Sequence, residues 1–227
     1  MRVQNTPGSY GLLAGLFVLL LGMLANAGCA RAQVKGRDAG VAFDQAVEIS
    51  LTCVTEDGRT LRAFGSGVIV SPDTLLTAAH VAEDEEGFTC VRRATMTNGK
   101  QYLLVPGIIL HDRDLASMHA FATPFDPTYA VVYGPKPAYG SRVCEMSGYP
   151  RVLWRCGEVQ VTEEAPGDLE HTIIVEPGNS GSGVYDERGR LVGIITHRWS
   201  CSNGQICGGK MATLEGYVDE LLGRGKL

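Results

Sequence analysis

No run of lysine or arginine occurs anywhere in the 227 residues, and the formal charge is −5. A nucleic-acid partner, whose phosphates need clustered cations, is therefore not expected. The densest charge run, "EDEE" at 83–86, reads as a solvated loop. Cys-x-x-Cys is missing, which argues against a structural zinc site. So is the Gly-Lys-[Ser/Thr] ending of a phosphate loop, and the pattern Gly-x-Ser-x-Gly fails because Ser182 stands where its last glycine belongs. No cofactor and no metal are expected. Helical periodicity is lacking until "ATLEGYVDELL", where Leu214, Val218, Leu221 and Leu222 form one apolar face.

The N-terminus is apolar instead. "GLLAGLFVLLLGML" at 11–24 is short for a membrane span but suits the core of an export signal. Two small-x-small cleavage sites follow, Ala25-Asn26-Ala27 and Ala30-Arg31-Ala32. "AGC" at 27–29 resembles the end of a bacterial lipobox, although Asn26 departs from that pattern. The segment 1–32 is thus expected to be a signal peptide or lipoprotein signal, and the mature protein secreted or periplasmic. Only a lipid on Cys29 would anchor it to a membrane. Seven cysteines less Cys29 leave an even set, which suggests three disulfides in an oxidising compartment. Sequence proximity favours Cys144–Cys156 and Cys201–Cys207, leaving Cys53–Cys90.

After a polar linker at 33–44 the chain breaks into short strands punctuated by Gly, Pro, Asp and Asn, the signature of an all-β barrel or sandwich. Expected strands include "AVEISLTCV", "FGSGVIV", "TLLTAA", "TCVRRATM", "QYLLVPGIIL", "SRVCEMSGY", "GEVQVTE", "HTIIVE", "GSGVYD" and "RLVGIIT". "DG" at 57–58 and "NG" at 98–99 suit hairpin turns. "VAEDEE", after His80, could add one helical turn. The string "GSGV" occurs at 65–68 and again at 181–184, each time opening a hairpin that ends at a histidine, His80 or His197. This self-similarity hints at two duplicated β lobes.

Three places could carry chemistry. In "GNSGSGV" Gly178, Gly181 and Gly183 permit a tight turn that aims backbone N–H groups at one point beside Ser180. A hydroxyl there needs a base to become nucleophilic. His80 ends the apolar "LLTAAHV" at a strand-to-loop junction; His111, His119, His171 and His197 are its rivals. In "HDRDLASM", Asp114 precedes Leu115-Ala116 where the chain turns inward, while Asp112 is the solvent-facing member. Such an acid, kept from water, would fix the tautomer of a catalytic histidine. Singly each reading is weak.

Together "TAAH", "DLA" and "GNSG", in the order His, Asp, Ser within two β-rich halves, resemble the chymotrypsin-like (trypsin-like) serine proteases, with likeness to the bacterial branch of Deg-type and glutamyl endopeptidases. The resemblance covers roughly 45–222. It implies two six-stranded antiparallel β-barrels, about 45–125 and 138–210, and a C-terminal helix at about 212–222. It also implies Ser180 as nucleophile, His80 as general base and acid, and Asp114 as orienting acid. The N–H groups of Gly178 and Ser180 would form the oxyanion hole. Thr196 would pair with substrate through its backbone, its hydroxyl touching Asp114. Ile174 matches the pocket base and Ile195 a pocket-wall position, with His197 close by. An apolar residue before the cut bond is expected rather than Lys or Arg. A peptide-binding module without catalysis is the alternative on the same fold; a polypeptide is the partner in both. Two departures stand out. Asn179 replaces the Asp that pairs with a freed N-terminus, and Phe64 and Val81 replace the cysteines that flank the catalytic histidine.

Overall fold

The computed structural model describes residues 43–84, 88–126, 131–149, 153–160 and 168–224. The expected signal at 1–32, with Cys29, and nearly all of the linker lie outside them. Among the described residues no helix is long and apolar enough to cross a membrane.

Six strands build a first closed barrel: β1 (Ala46–Thr55), β2 (Thr60–Ile69), β3 (Thr74–Ala78), β4 (Phe88–Met96), β5 (Gln101–Leu110) and β6 (Leu115–Ala120). They close in the order β1-β2-β3-β6-β5-β4, antiparallel throughout. Asp57-Gly58 and Asn98-Gly99 make the β1–β2 and β4–β5 turns, as their chemistry suggests. The alternation along β1 sends Val47, Ile49 and Leu51 inward against Leu75, Met118 and Tyr102.

The second barrel repeats the plan with β7 (Arg142–Ser147), β8 (Leu153–Gln160), β9 (Asp168–His171), β10 (Gly183–Asp186), β11 (Leu191–Ser200) and β12 (Ile206–Thr213), closed as β7-β8-β9-β12-β11-β10. Val143, Val159, Val184, Ile195 and Met211 fill it. A third apolar cluster joins Val68, Leu76 and Leu115 of the first barrel to Met146, Tyr185 and Ile194 of the second, so the two pack as one body. Disulfides tie Cys53 to Cys90, Cys144 to Cys156 and Cys201 to Cys207. The first two bridge directly opposed strand positions, Cys53↔Cys90 and Cys144↔Cys156.

Four features differ from the sequence reading. The C-terminal helix, expected over 212–222, is confined to α2 (Val218–Leu221), because β12 claims the start of that stretch, pairing with β9 as far as Ala212 and with β11 as far as Thr213. The turn after His80 falls on α1 (Ala79–Ala82) and includes that histidine; 85–87 lie outside the described residues. "HTIIVE" is not a strand: β9 ends at His171, and Ile173 and Val175 pack into the core from a loop. Finally, the two "GSGV" strings are not equivalent by descent of strand order. The first lies in β2, the second strand of its barrel; the other opens β10, the fourth strand of its own.

The strings instead meet each other. The Ser66 N–H donates to the Ser180 carbonyl at 2.7 Å. A Cβ on Gly181 would lie 1.9 Å from the Ser66 carbonyl oxygen, and one on Gly183 would lie 2.6 Å from Val68 Cγ2. Both are glycine-rich because two backbones touch where the barrels join.

Candidate active site

Register brings His80 and Asp114 together. β3 and β6 pair Ala78 with Leu115, so the residues just beyond that pair share one end of the barrel. The Ala79 N–H donates to the Asp114 carbonyl at 3.0 Å, and the His80 N–H to Asp114 Oδ1 at 3.0 Å. The ring follows: Nδ1 lies 2.8 Å from Oδ2 and 3.0 Å from Oδ1. Donation from Nδ1–H leaves Nε2 as the proton acceptor. Asp114 closes the 3₁₀ turn His111–Arg113 in the left-handed region, φ 49° and ψ 40°. Such a conformation is costly for a residue with a side chain and persists where surrounding bonds over-determine it. Three bonds to the His80 segment do so here. Asp112 is solvent-facing, as expected.

The 178–184 turn is held from both barrels. Gly178 and Gly181 sit at φ 94° and 90°, values that side chains resist. The Gly181 N–H donates to the Ile195 carbonyl at 2.8 Å, and the Ser182 N–H to the Asn179 carbonyl at 2.9 Å. Ser66 Oγ donates to the Gly178 carbonyl at 2.9 Å. Among the described residues the N–H groups of Gly178 and Ser180 take no hydrogen-bond partner. Ser182 is fully buried and remote from the opening, whereas Ser180 faces it.

Asn179 is buried, with every polar atom engaged. Its Oδ1 accepts from Arg155 Nη2 at 2.5 Å and from the Glu176 N–H at 2.8 Å. Its Nδ2 donates to Ser147 Oγ at 2.9 Å and to the Tyr149 carbonyl at 2.8 Å. Arg155 in turn lies 3.2 Å from Glu145, which is fully buried. Burial pushes the Glu145 carboxyl up to about 7, against the pull of Arg155. Nothing in the motifs pointed to this network. The signal that could have found it is the Cys144–Cys156 pair, because stepping one residue inward from each cysteine sets Glu145 opposite Arg155.

At the positions of the two absent cysteines the packing is different. Phe64 stacks on Tyr149 with ring centroids 4.6 Å apart. Tyr149 lies so close to Gly178 that a Cβ there would meet its Cδ1 at 2.2 Å, and Val81 packs on Gly65. An aromatic stack and an apolar contact thus occupy the place of a cross-link.

A cleft of about 370 Å³ opens between these parts, lined by His80, Val175, Glu176, Pro177, Ser180, Thr196, His197 and Arg198. Ser180 Oγ donates to the Thr196 carbonyl at 3.3 Å. Thr196 Oγ1 does not reach Asp114 but donates to the Lys210 carbonyl at 3.3 Å. His197 lines the cleft and brings its Nδ1 to 3.7 Å from Asp114 Oδ2. Ile195, by contrast, is fully buried in the second core, because β11 points it inward, while Thr196 after it lines the cleft. Ile174 is 47% exposed and stands outside the lining. His171, a rival base, is sealed in the second barrel with both ring nitrogens unpartnered among the described residues; burial first, and Arg155 second, pull its pKa down to about 4. It has no path to Ser180. Burial also raises the Asp168 carboxyl, against the pull of Arg113, His197 and Lys210.

No curated protein matches this sequence. The family model of the Trypsin-like peptidase domain matches residues 65–194, more than half of the chain, and that stretch carries "TAAH", "DLA" and "GNSG". With two closed six-stranded barrels around one cleft and this match, the chain belongs to the trypsin-like peptidase family and has the chymotrypsin-like serine protease fold.

Proposed function

We propose that this protein is an exported serine endopeptidase working through a Ser180-His80-Asp114 triad and an acyl-enzyme intermediate. The observation that carries the reading is the 2.8 Å bond from His80 Nδ1 to Asp114, made on the wall of the cleft that also exposes Ser180. Rotation about the Ser180 Cα–Cβ bond would turn Oγ from the Thr196 carbonyl towards His80, since catalytic hydrogen bonds commonly tighten only when substrate binds. His80 Nε2 then takes the hydroxyl proton as Oγ attacks the peptide carbonyl carbon. The resulting oxyanion is received by the N–H groups of Gly178 and Ser180, each such donor contributing about 2.7–4 kcal/mol. His80 gives the proton to the leaving amine as the C–N bond breaks, and water releases the acyl group by the same route. Asp114 holds the tautomer and stabilises the imidazolium.

The fixed Asn179 removes the need for a newly cut N-terminus, so activity without trypsin-style zymogen cleavage belongs to this reading. Val175, Pro177 and Thr196 favour a small or medium apolar residue before the cut bond, and Glu176, the acid on that wall, already faces Arg155 at 3.8 Å. Export rests on the apolar segment 11–24 and is supported by three disulfides. Residues 1–32 would be the signal, cleaved or lipidated at Cys29, and 45–222 the protease domain. Cleavage of a peptide library tests the reading. Wild type should cut and Ser180→Ala should not; equal cutting by both would refute it.

A further inference from the structure

The expectation of no metal rested on the cysteines, which are all paired among the described residues. A different donor set exists. His80, Asp114 and His197 each offer one ligand atom, and these atoms lie within 4.8 Å of one another. Asp114 Oδ2 is the apex, 2.8 Å from His80 Nδ1 and 3.7 Å from His197 Nδ1. A tetrahedral cation with bonds of about 2.0–2.1 Å sets its ligand atoms about 3.3 Å apart. The two edges to Asp114 bracket that figure, and the His80–His197 edge, at most 4.8 Å, closes by up to about 1.5 Å as the rings turn onto an ion.

Both imidazoles can make that shift. The His80 and His197 side chains are 45% and 63% exposed, and their ring centroids are 5.6 Å apart. The His197 ring extends from the cleft edge of β11 towards the Asp114 carboxylate. Two imidazoles with one carboxylate suit zinc rather than calcium or magnesium, which take oxygen ligands. Arg198 also lines the cleft and opposes a cation, whereas the protein as a whole is acidic and draws one in.

We propose that His80, Asp114 and His197 form a zinc site that holds the enzyme inactive while the ion is bound. Zinc takes the Nδ1 lone pair of a neutral ring, so the single ring proton moves by way of solvent from Nδ1 to Nε2 as the ion binds. With Nδ1 on the metal and Nε2 protonated, the ring has no lone pair left to take the Ser180 proton, and Asp114 no longer orients it. The fourth position faces the cleft, open to water. Zinc binding itself does not depend on catalysis; only the inhibition rests on the proposed role of His80.

The test therefore has two arms. Zinc is titrated calorimetrically into the Ser180→Ala protein, which keeps all three ligands but cannot turn over. One ion per chain should bind, and adding His197→Gln should weaken it by roughly tenfold or more, as losing one of three ligands requires. His111→Gln serves as control, since the surface pair His111 and Glu83, 2.7 Å apart, is the rival zinc site. No binding, or binding lost with His111→Gln and kept with His197→Gln, overturns the proposal. In the second arm zinc should inhibit peptide cleavage by wild type reversibly with a chelator, and His197→Gln should need roughly tenfold more zinc for the same fractional inhibition. A protein that binds zinc as expected but cleaves no peptide would sink the protease reading and leave the zinc site standing.

Discussion

The two barrels share a strand order but differ in what they bury. The first is filled by aliphatic and aromatic side chains, and its buried charge, Arg92, points outward to Asp84 at 2.5 Å and the Val81 carbonyl at 3.2 Å. The second seals in Glu145, His171 and Asn179. The difference follows from what each must hold. His80 sits at the end of a regular ladder, so strand pairing and one carboxylate suffice to place it. The 178–182 turn precedes the ladder of β10, with two glycines at positive φ, and needs polar side chains within the barrel to fix its shape. Burying such groups is costly unless every partner is present, which makes the second barrel the more fragile half.

The largest expected effect falls on the first barrel's contribution. Asp114→Asn should lower kcat by about 10⁴-fold through the wrong His80 tautomer, with little change in melting temperature; a loss below tenfold in peptide cleavage assays would separate Asp114 from the chemistry. Next come the two like-spelled strings. Gly181→Ala drives a Cβ into the Ser66 carbonyl at 1.9 Å and strains φ, so denaturant titration should show a loss of about 4 kcal/mol or more. Gly65→Ala meets the Val81 methyls at 2.7 and 2.9 Å and the Ser180 carbonyl oxygen less closely, at 3.3 Å, and should lose about 1–3 kcal/mol. Equal losses would mean the contact between the strings is not what demands glycine.

In the second barrel, Arg155→Met leaves Glu145 buried without its partner and frees Asn179. A loss of about 3 kcal/mol is expected, partly restored by adding Glu145→Gln. If the double variant is no better than the single, the network is not held by this pair. The smallest effects are those of pH. Glu145 has its folded pKa raised from 4.5 to about 7, so its contribution is complete below pH 4.5 and is lost as pH rises through 7. His171 has its folded pKa lowered from 6.5 to about 4, so its contribution is present above pH 6.5 and is lost as pH falls through 4. The two slopes oppose each other between 4.5 and 6.5. Urea unfolding across this range should show wild type losing stability relative to Glu145→Gln on alkalinisation, and relative to His171→Phe on acidification. The reverse slope for either variant would contradict the burial argument.

The motifs at His80, Asp114 and Ser180 were legible because their residue types and chain order are specific, and nine of the ten expected strand patterns fall on strands. Less visible was anything set by packing. β12 escaped notice because "ICGGKMAT" interrupts its apolar residues with two glycines, needed where a Cβ on Gly208 would meet the His171 carbonyl oxygen at 1.9 Å. "HTIIVE" has the alternation of a strand, yet its apolar side chains serve a loop. Glu145 and Arg155 carry no motif, and only the register of β7 and β8 sets them opposite each other. The "GSGV" echo suggested duplicated hairpins. Two alike barrels do exist, but the echo marks their contact rather than a shared strand position.

The most direct test of the central claim asks which serine reacts. Wild type should be labelled by a fluorophosphonate, and peptide mapping by mass spectrometry should put a single adduct on Ser180, with labelling slowed strongly by His80→Ala. No adduct, or an adduct on Ser182 or Ser66, would contradict a nucleophile built at the meeting point of the two barrels.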